Sequence, residues 1–296
     1  MNPVRALRQG QRCRVRVFDV DTLTATTVHE TTRRLYEAPN WTPDDHLLVN
    51  GDGALWRLPV TGGEPRHVPL REVPPINNDH VLGHDGRTAY VSANDWRVYS
   101  ASFDDGTTQA LTAESGAAFL HGISPDGSRL AYVAIRDDEN GRRTGPHVRT
   151  IAIDGSDDRA VTAADNVDDG CEYSPDGEWI YFNTERFSSS AGHAQVARVR
   201  IDGSSLEQLT RDDRVNWFPH PSPTRGRFVY LSYPPGTQGH PADLLVQLRL
   251  VEGDRWDLST VLAETIGGQG TVNVGSWSPD GARFAFVDYP FAPRRR

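Results

Sequence analysis

Hydrophobic positions in this chain fall into short runs separated by polar turns. LAYVAI (130–135), WIYFN (179–183) and RFAFV (283–287) are β-branched and aromatic at nearly every position, as buried strands are. Each follows Ser-Pro-Asp-Gly, a tight reversal in which Pro presets φ and Gly accepts positive φ. A further strand then ends in a second turn, as in VRTIAIDGSDD (148–158) and VARVRIDGSS (196–205), and a short polar strand such as LEQLT (206–210) closes the unit.

The unit repeats. SPDG stands at Ser124, Ser174 and Ser278, and degenerate copies begin at Thr42, Gly83 and Ser222, so the spacings are 41, 41, 50, 48 and 56 residues. Six four-stranded units at this period predict an all-β, six-bladed β-propeller occupying residues 1–296 as one domain. Only one strand, Arg283 to Asp288, follows the last turn, while RCRVRVFDV (12–20) and LTATTVHETT (23–32) are two strands with no such turn before them. Joining them to the last blade closes the ring and hides both sheet edges.

Composition narrows the chemistry. All 31 basic residues are arginine, so a Schiff-base lysine and a Walker-type phosphate loop are excluded. A net charge of −9 argues against a nucleic-acid or membrane-surface partner. Two cysteines, Cys13 and Cys171, are too few for a disulfide framework, and with no apolar export segment the expected location is cytoplasmic. Asp137, Asp138 and Glu139 are expected to form a solvated hairpin tip.

In a propeller the innermost strand of each blade lines the central channel, here the segment before each turn. Directly before the turn stand Trp41, Leu82, Ile123, Tyr173, Pro221 and Trp277, expected to pack between blades. One and two positions further back are Asn40, His80, His121, Glu172 and His220, with Asn78, Asp79, Asp168, Asp169, Gln269 and Asn273 upstream. Imidazoles and carboxylates converging on one axis suit a divalent metal or an acidic sugar; equally, they are what a wet channel uses to satisfy its own backbone. Segment 233–243, YPPGTQGHPAD, is the loop expected to fold over a channel mouth.

SPDG preceded by Trp or Tyr and followed by IAF-like strands resembles the TolB-type propeller repeat, and the six copies cover almost the whole chain. The repeat is also similar to that of oligogalacturonate lyases, and this second resemblance implies a manganese or zinc ion held by His80, His121, His220 and Gln269. A base is then required and no lysine exists to serve, so the candidates are a histidine not used as ligand, Glu172 or, disfavoured by its high pKa, an arginine. Glu172 and His220 are the expected catalytic residues, and Asn40, Asn78, Asp79, Trp217 and Asn273 are expected to bind substrate. The expected function is a metal-assisted lyase or hydrolase of an acidic or oxidised carbohydrate. The alternative is a non-catalytic TolB-like scaffold for a protein or peptide partner.

Overall fold

A computed structural model describes residues 5–137 and 140–292; Asp138 and Glu139 of the expected hairpin tip lie outside these residues. The strands form six sheets around a central axis. In chain order the first two strands belong to the last blade: β1 (Cys13–Asp19) pairs with the last strand, β23 (Arg283–Asp288), and β2 (Thr24–Thr31) pairs with β1. Blade 1 is therefore β3 (Glu37–Trp41), β4 (His46–Gly51), β5 (Ala54–Pro59) and β6 (Arg66–Val68). Blade 2 runs β7 (Ile76–Leu82), β8 (Thr88–Ala93), β9 (Val98–Ser102) and β10 (Thr108–Ala110). Blade 3 runs β11 (Ala117–Ile123), β12 (Arg129–Ile135), β13 (His147–Ala152) and β14 (Arg159–Ala160). Blade 4 is β15 (Asp168–Tyr173), β16 (Trp179–Thr184), β17 (Gln195–Arg200) and β18 (Glu207–Gln208). Blade 5 is β19 (Val215–Pro221), β20 (Arg227–Tyr233), β21 (Ala242–Glu252) and β22 (Thr260–Gly268). In blade 6 the innermost position is held by a single bridge, Trp277 to Phe284, beside β23, β1 and β2.

The apolar runs are continuous because each sheet is covered on both faces by neighbouring blades. In β12, Leu130, Tyr132 and Ala134 pack with blade 2 residues such as Val81 and Tyr90, while Ala131 and Val133 pack with Cys171 and Phe182 of blade 4. The period-2 geometry of a strand sends alternate side chains to opposite neighbours. Six apolar clusters result, one at each junction between blades. The buried Cys171 thiol belongs to one of them, and burial pushes its pKa up.

Ring closure rests on β1 pairing antiparallel with β23, from Arg14 opposite Asp288 to Asp19 opposite Arg283. Asp288 is fully buried and accepts from Arg14 Nε and Nη2, both at 2.7 Å, and from Thr265 Oγ1 at 2.9 Å. Phe18 stacks on Phe284 across the same pair at 5.4 Å.

Each complete inner strand carries a β-bulge; pairing resumes two residues before the turn in blades 1, 3, 4 and 5 and three residues before it in blade 2. The register shifts between Glu37 and Asn40, Ile76 and His80, Leu120 and Gly122, Asp169 and Glu172, and Trp217 and His220. A bulge leaves residues unpaired and re-aims their side chains. The turn-derived alignment of the repeats is therefore offset within the channel at blade 2, by one residue.

Asp288→Ala should lower stability by about 3 kcal/mol, since it removes the buried acceptor from a charge pair across the closing seam. Urea unfolding measures this; a loss below about 1 kcal/mol would show that the seam is held by apolar packing alone.

Candidate functional site

Two cavities occupy the channel, one at each mouth, and His121 touches both. In blade 3 the bulge falls on His121 itself, so its ring is unpaired from the ladder and projects to the axis. His80, expected to be its equivalent, pairs with Val91 instead and turns toward blade 1, where Nε2 meets the Leu48 carbonyl at 3.2 Å. Burial depresses the His80 pKa to about 4, so it is neutral.

The loop-side cavity measures about 390 Å³ and lies beyond the start of the inner strands. Its polar floor is Asp79, His121 and Asp169. His121 Nδ1 donates to the Asn273 carbonyl at 3.4 Å, and Nε2 lies 2.9 Å from Asp169 Oδ1, close for an ion pair although not aligned as a hydrogen bond. Burial alone would lower the His121 pKa, but the adjacent Asp169 and the charge of Asp79 outweigh it and raise it to about 9. Burial likewise pushes Asp169 up, and the His121 contact prevails, holding it below the usual carboxylate range. Asp79 is dominated by burial: despite His121, its pKa rises to about 7, with the charge of Asp169 adding to the rise. Its Oδ2 accepts from Asn77 Nδ2 at 2.9 Å. Gly170, at φ +61°, gives Asp169 its exit from the strand, because a Cβ there would stand 2.5 Å from Asn183 Oδ1.

Segment 233–243 bends over this mouth and supplies a histidine that the sequence pattern does not single out. His240 Nδ1 donates to Gln269 Oε1, and Nε2 stands 3.8 Å from Asp169 Oδ2. Burial lowers its pKa below the ordinary imidazole value, so the ring is neutral with Nε2 unprotonated. Trp217 and Phe218 pack against it, with ring centroids at 4.5 and 5.2 Å. Trp217 thus stands behind the cavity and positions His240, rather than touching the space itself.

Asn78 and Asn50 line the same cavity, almost wholly buried, and Asn78 Nδ2 and Asn50 Oδ1 lack hydrogen-bond partners. Trp96 and Phe119 form one wall, edge to face at 5.7 Å. Trp96 is 40% exposed and sits at φ +69°, a left-handed conformation costly for a bulky side chain. Arg5 closes the rim, reaching Glu37 at 2.9 Å, Asp243 at 3.0 Å and the Gln269 carbonyl at 2.6 Å.

The four residues expected to hold a metal are not brought into one ligand set. Both nitrogens of His220 are engaged, Nδ1 by Glu172 Oε2 and Nε2 by the Val272 carbonyl at 2.7 Å. His80 faces away, and Gln269 is bound to His240 and Asn273. Among the described residues no group of three or more His, Cys, Asp or Glu is placed to hold a metal ion. The physical reason lies in the pairing: His80 and His121 stand at the same distance from their turns, but His80 is in the ladder and His121 is bulged out of it, while His220 sits one residue nearer its turn and pairs with Val229. Glu172 and Asn40 line the opposite, turn-side mouth, and His220 lies behind Glu172. Asn40 ties blades together there, donating to the Gly275 carbonyl at 2.7 Å and accepting from Leu82 N–H at 3.1 Å. Asn78, Asp79, His121, Gln269 and Asn273 share the loop-side cavity.

No family model matches the chain. It is 38% identical over 285 residues to an uncharacterised protein of Agrobacterium fabrum, Atu1656, covering 95% of this chain and 93% of that one. It superposes on the structure of a TolB-like protein from Agrobacterium tumefaciens with a TM-score of 0.87 at 36% identity, covering 95% of this chain and 99% of that one. TolB from Acinetobacter baumannii gives 0.63 at 17% identity, over 87% of this chain and 64% of that one. An oligogalacturonate lyase in complex with manganese gives 0.56 at 13%, over 91% and 70%. At these last two identities the likeness is one of fold.

Asp169→Asn should drop the His121 pKa from about 9 to below 6.5, because burial then dominates. NMR titration of the imidazole reads it, and a value still near 9 would refute the pairing. The same two groups set a pH slope. A raised His121 pKa gives stability that is present below about 6.5 and lost as pH rises through about 9. The raised Asp79 pKa removes stability as pH rises from about 3.8 to about 7. Asp79→Asn should therefore flatten the decline in unfolding free energy between pH 4 and 7, leaving the segment from 6.5 to 9.

Proposed function

Since the chain belongs to the family of TolB-like six-bladed β-propellers, we propose that its loop-side cavity binds a carbohydrate and performs proton transfer on it. The observation that carries this reading is the pair of buried, unpartnered amide groups, Asn78 Nδ2 and Asn50 Oδ1, in one cavity with the Trp96–Phe119 wall. A buried donor and acceptor left unmade are costly, and a hydroxyl group satisfies both kinds. An aromatic wall suits the C–H face of a sugar ring.

Proton transfer follows from the different states of two groups. His240 is neutral with Nε2 free to accept a proton, and Asp79 holds its own up to about pH 7. In an elimination on a uronic acid, His240 would take the proton from the carbon beside the carboxylate. The C–H pair would form the new double bond, and the departing oxygen would leave with the Asp79 proton. The His121 imidazolium stands where it would favour charge developing on the sugar carboxylate. The manganese of the lyase structure belongs to that protein; the reading here uses this chain's own proton donors and acceptors.

Titration with neutral and uronic-acid oligosaccharides, followed by calorimetry, tests the binding step. Trp96→Ala and Asn78→Ala should each weaken binding about tenfold. Absence of saturable binding to every sugar in the panel, with folding intact, would reject the reading. For turnover, formation of unsaturated product should rise as His240 loses its proton below pH 6.5 and fall above about 7 as Asp79 ionises. Asp79→Asn should abolish product while retaining binding; binding without product in the parent chain would leave a sugar receptor.

A further inference from the structure

The turn-side mouth is a second cavity, of about 350 Å³, whose character differs from the first. The residues directly before the turns, expected to pack only between blades, also ring this opening: Trp41, Leu82, Ile123, Tyr173, Pro221 and Trp277. Beneath the collar lies Glu172. Its Oε2 is engaged by His220 Nδ1, while Oε1 points to the space over Gly275, where a Cβ would stand 2.7 Å from it. Gly275 is thus a vacancy in the side-chain packing that keeps one oxygen of a part-buried carboxylate open to the cavity.

Outside the collar the turns line the opening through Pro43, His84, Pro125, Pro175 and Pro223. Asp85, Asp126, Asp176 and Asp280 are exposed members of the turns, each accepting from backbone N–H and hydroxyl donors of its own turn. These hydrogen bonds hold all four carboxyls below the usual range, although burial opposes them and is the largest influence at Asp85. From the solvent inward, a ligand therefore meets the prolines of the turns, then the aromatic collar, then one carboxylate oxygen.

We propose that this mouth binds a small organic cation, an ammonium or guanidinium head seated on Glu172 Oε1 within the Trp41, Tyr173 and Trp277 collar. Aromatic faces attract cations once water is displaced, and a carboxylate oxygen pairs with them. A neutral sugar has no such match here. The site shares His121 with the loop-side cavity but does not rest on the function proposed for that cavity.

The test is calorimetric titration with benzyltrimethylammonium and with methylguanidinium, against uncharged 3,3-dimethylbutanol and against acetate. The expected result is saturable binding of one or both cations, with none of the neutral isostere or the anion. Glu172→Gln, which keeps an oxygen for His220, should weaken cation binding about tenfold or more. Gly275→Ala should do the same by filling the space beside Oε1 with the carboxylate charge retained, and it serves if the first variant fails to fold. Asp79→Asn, at the other mouth, should leave it unchanged. Equal binding of the alcohol and the cation, no binding of either cation, or full cation affinity in a folded Glu172→Gln or Gly275→Ala variant would overturn the proposal.

Discussion

The pairing of β1 with β23 is the contact on which everything else depends. Five blades are each made from consecutive chain, so they need only local hairpins. The sixth joins residues near opposite ends of the sequence, and only then does a row of sheets become a ring with an interior. Both cavities are products of that closure, because each is lined by residues from several blades. The bidentate Arg14 contact fixes the register at one end of the seam, and a slip of one residue would turn Val15 and Val17 away from their apolar neighbours.

The architecture was legible because its signals are local. Pro and Asp-Gly encode the reversals, and the continuous apolar run encodes a strand covered on both faces. The strand 283–288 and the N-terminal pair appear in the structure where the repeat pattern requires them. The channel was less legible for an equally physical reason. Bulges are set by backbone geometry that composition does not announce: Ala38 and Phe218 adopt φ of +52° and +55° without being glycine. His80, His121 and His220 therefore lie near one another in the repeat but point in three directions. His240 was harder still to find, since it hangs from a loop between strands rather than from the repeated inner strand. The loops at the same place in blades 3 and 4, 136–146 and 185–194, are no shorter, so length did not single it out.

The absence of lysine acquires a structural meaning beside this charge arrangement. Arginine supplies the ion pairs of the blade edges and the rim, where it keeps its proton under all ordinary conditions. Proton exchange at the axis is thereby left to a small set of buried groups. His121 and Asp79 are raised and His240 is lowered although they share one cavity, because neighbouring charge prevails at His121 and burial at the other two. The two mouths divide the remaining polarity, one through amides, imidazoles and a carboxylate pair, the other through Glu172 beneath an aromatic throat.

The bulge in each inner strand also separates two kinds of evolutionary freedom. Middle strands are held by neighbours on both faces, so their side chains must change in concert with those of adjacent blades. A bulged residue that faces a cavity, as His121 does, has left the ladder, so its replacement leaves the hydrogen bonds of the partner strand intact. Modular exchange of whole blades among such propellers would therefore preserve the ring while changing the axis, since each imported blade brings its own bulged residues. Ancestry traced through the turns and chemistry traced through the channel need not follow the same residue columns.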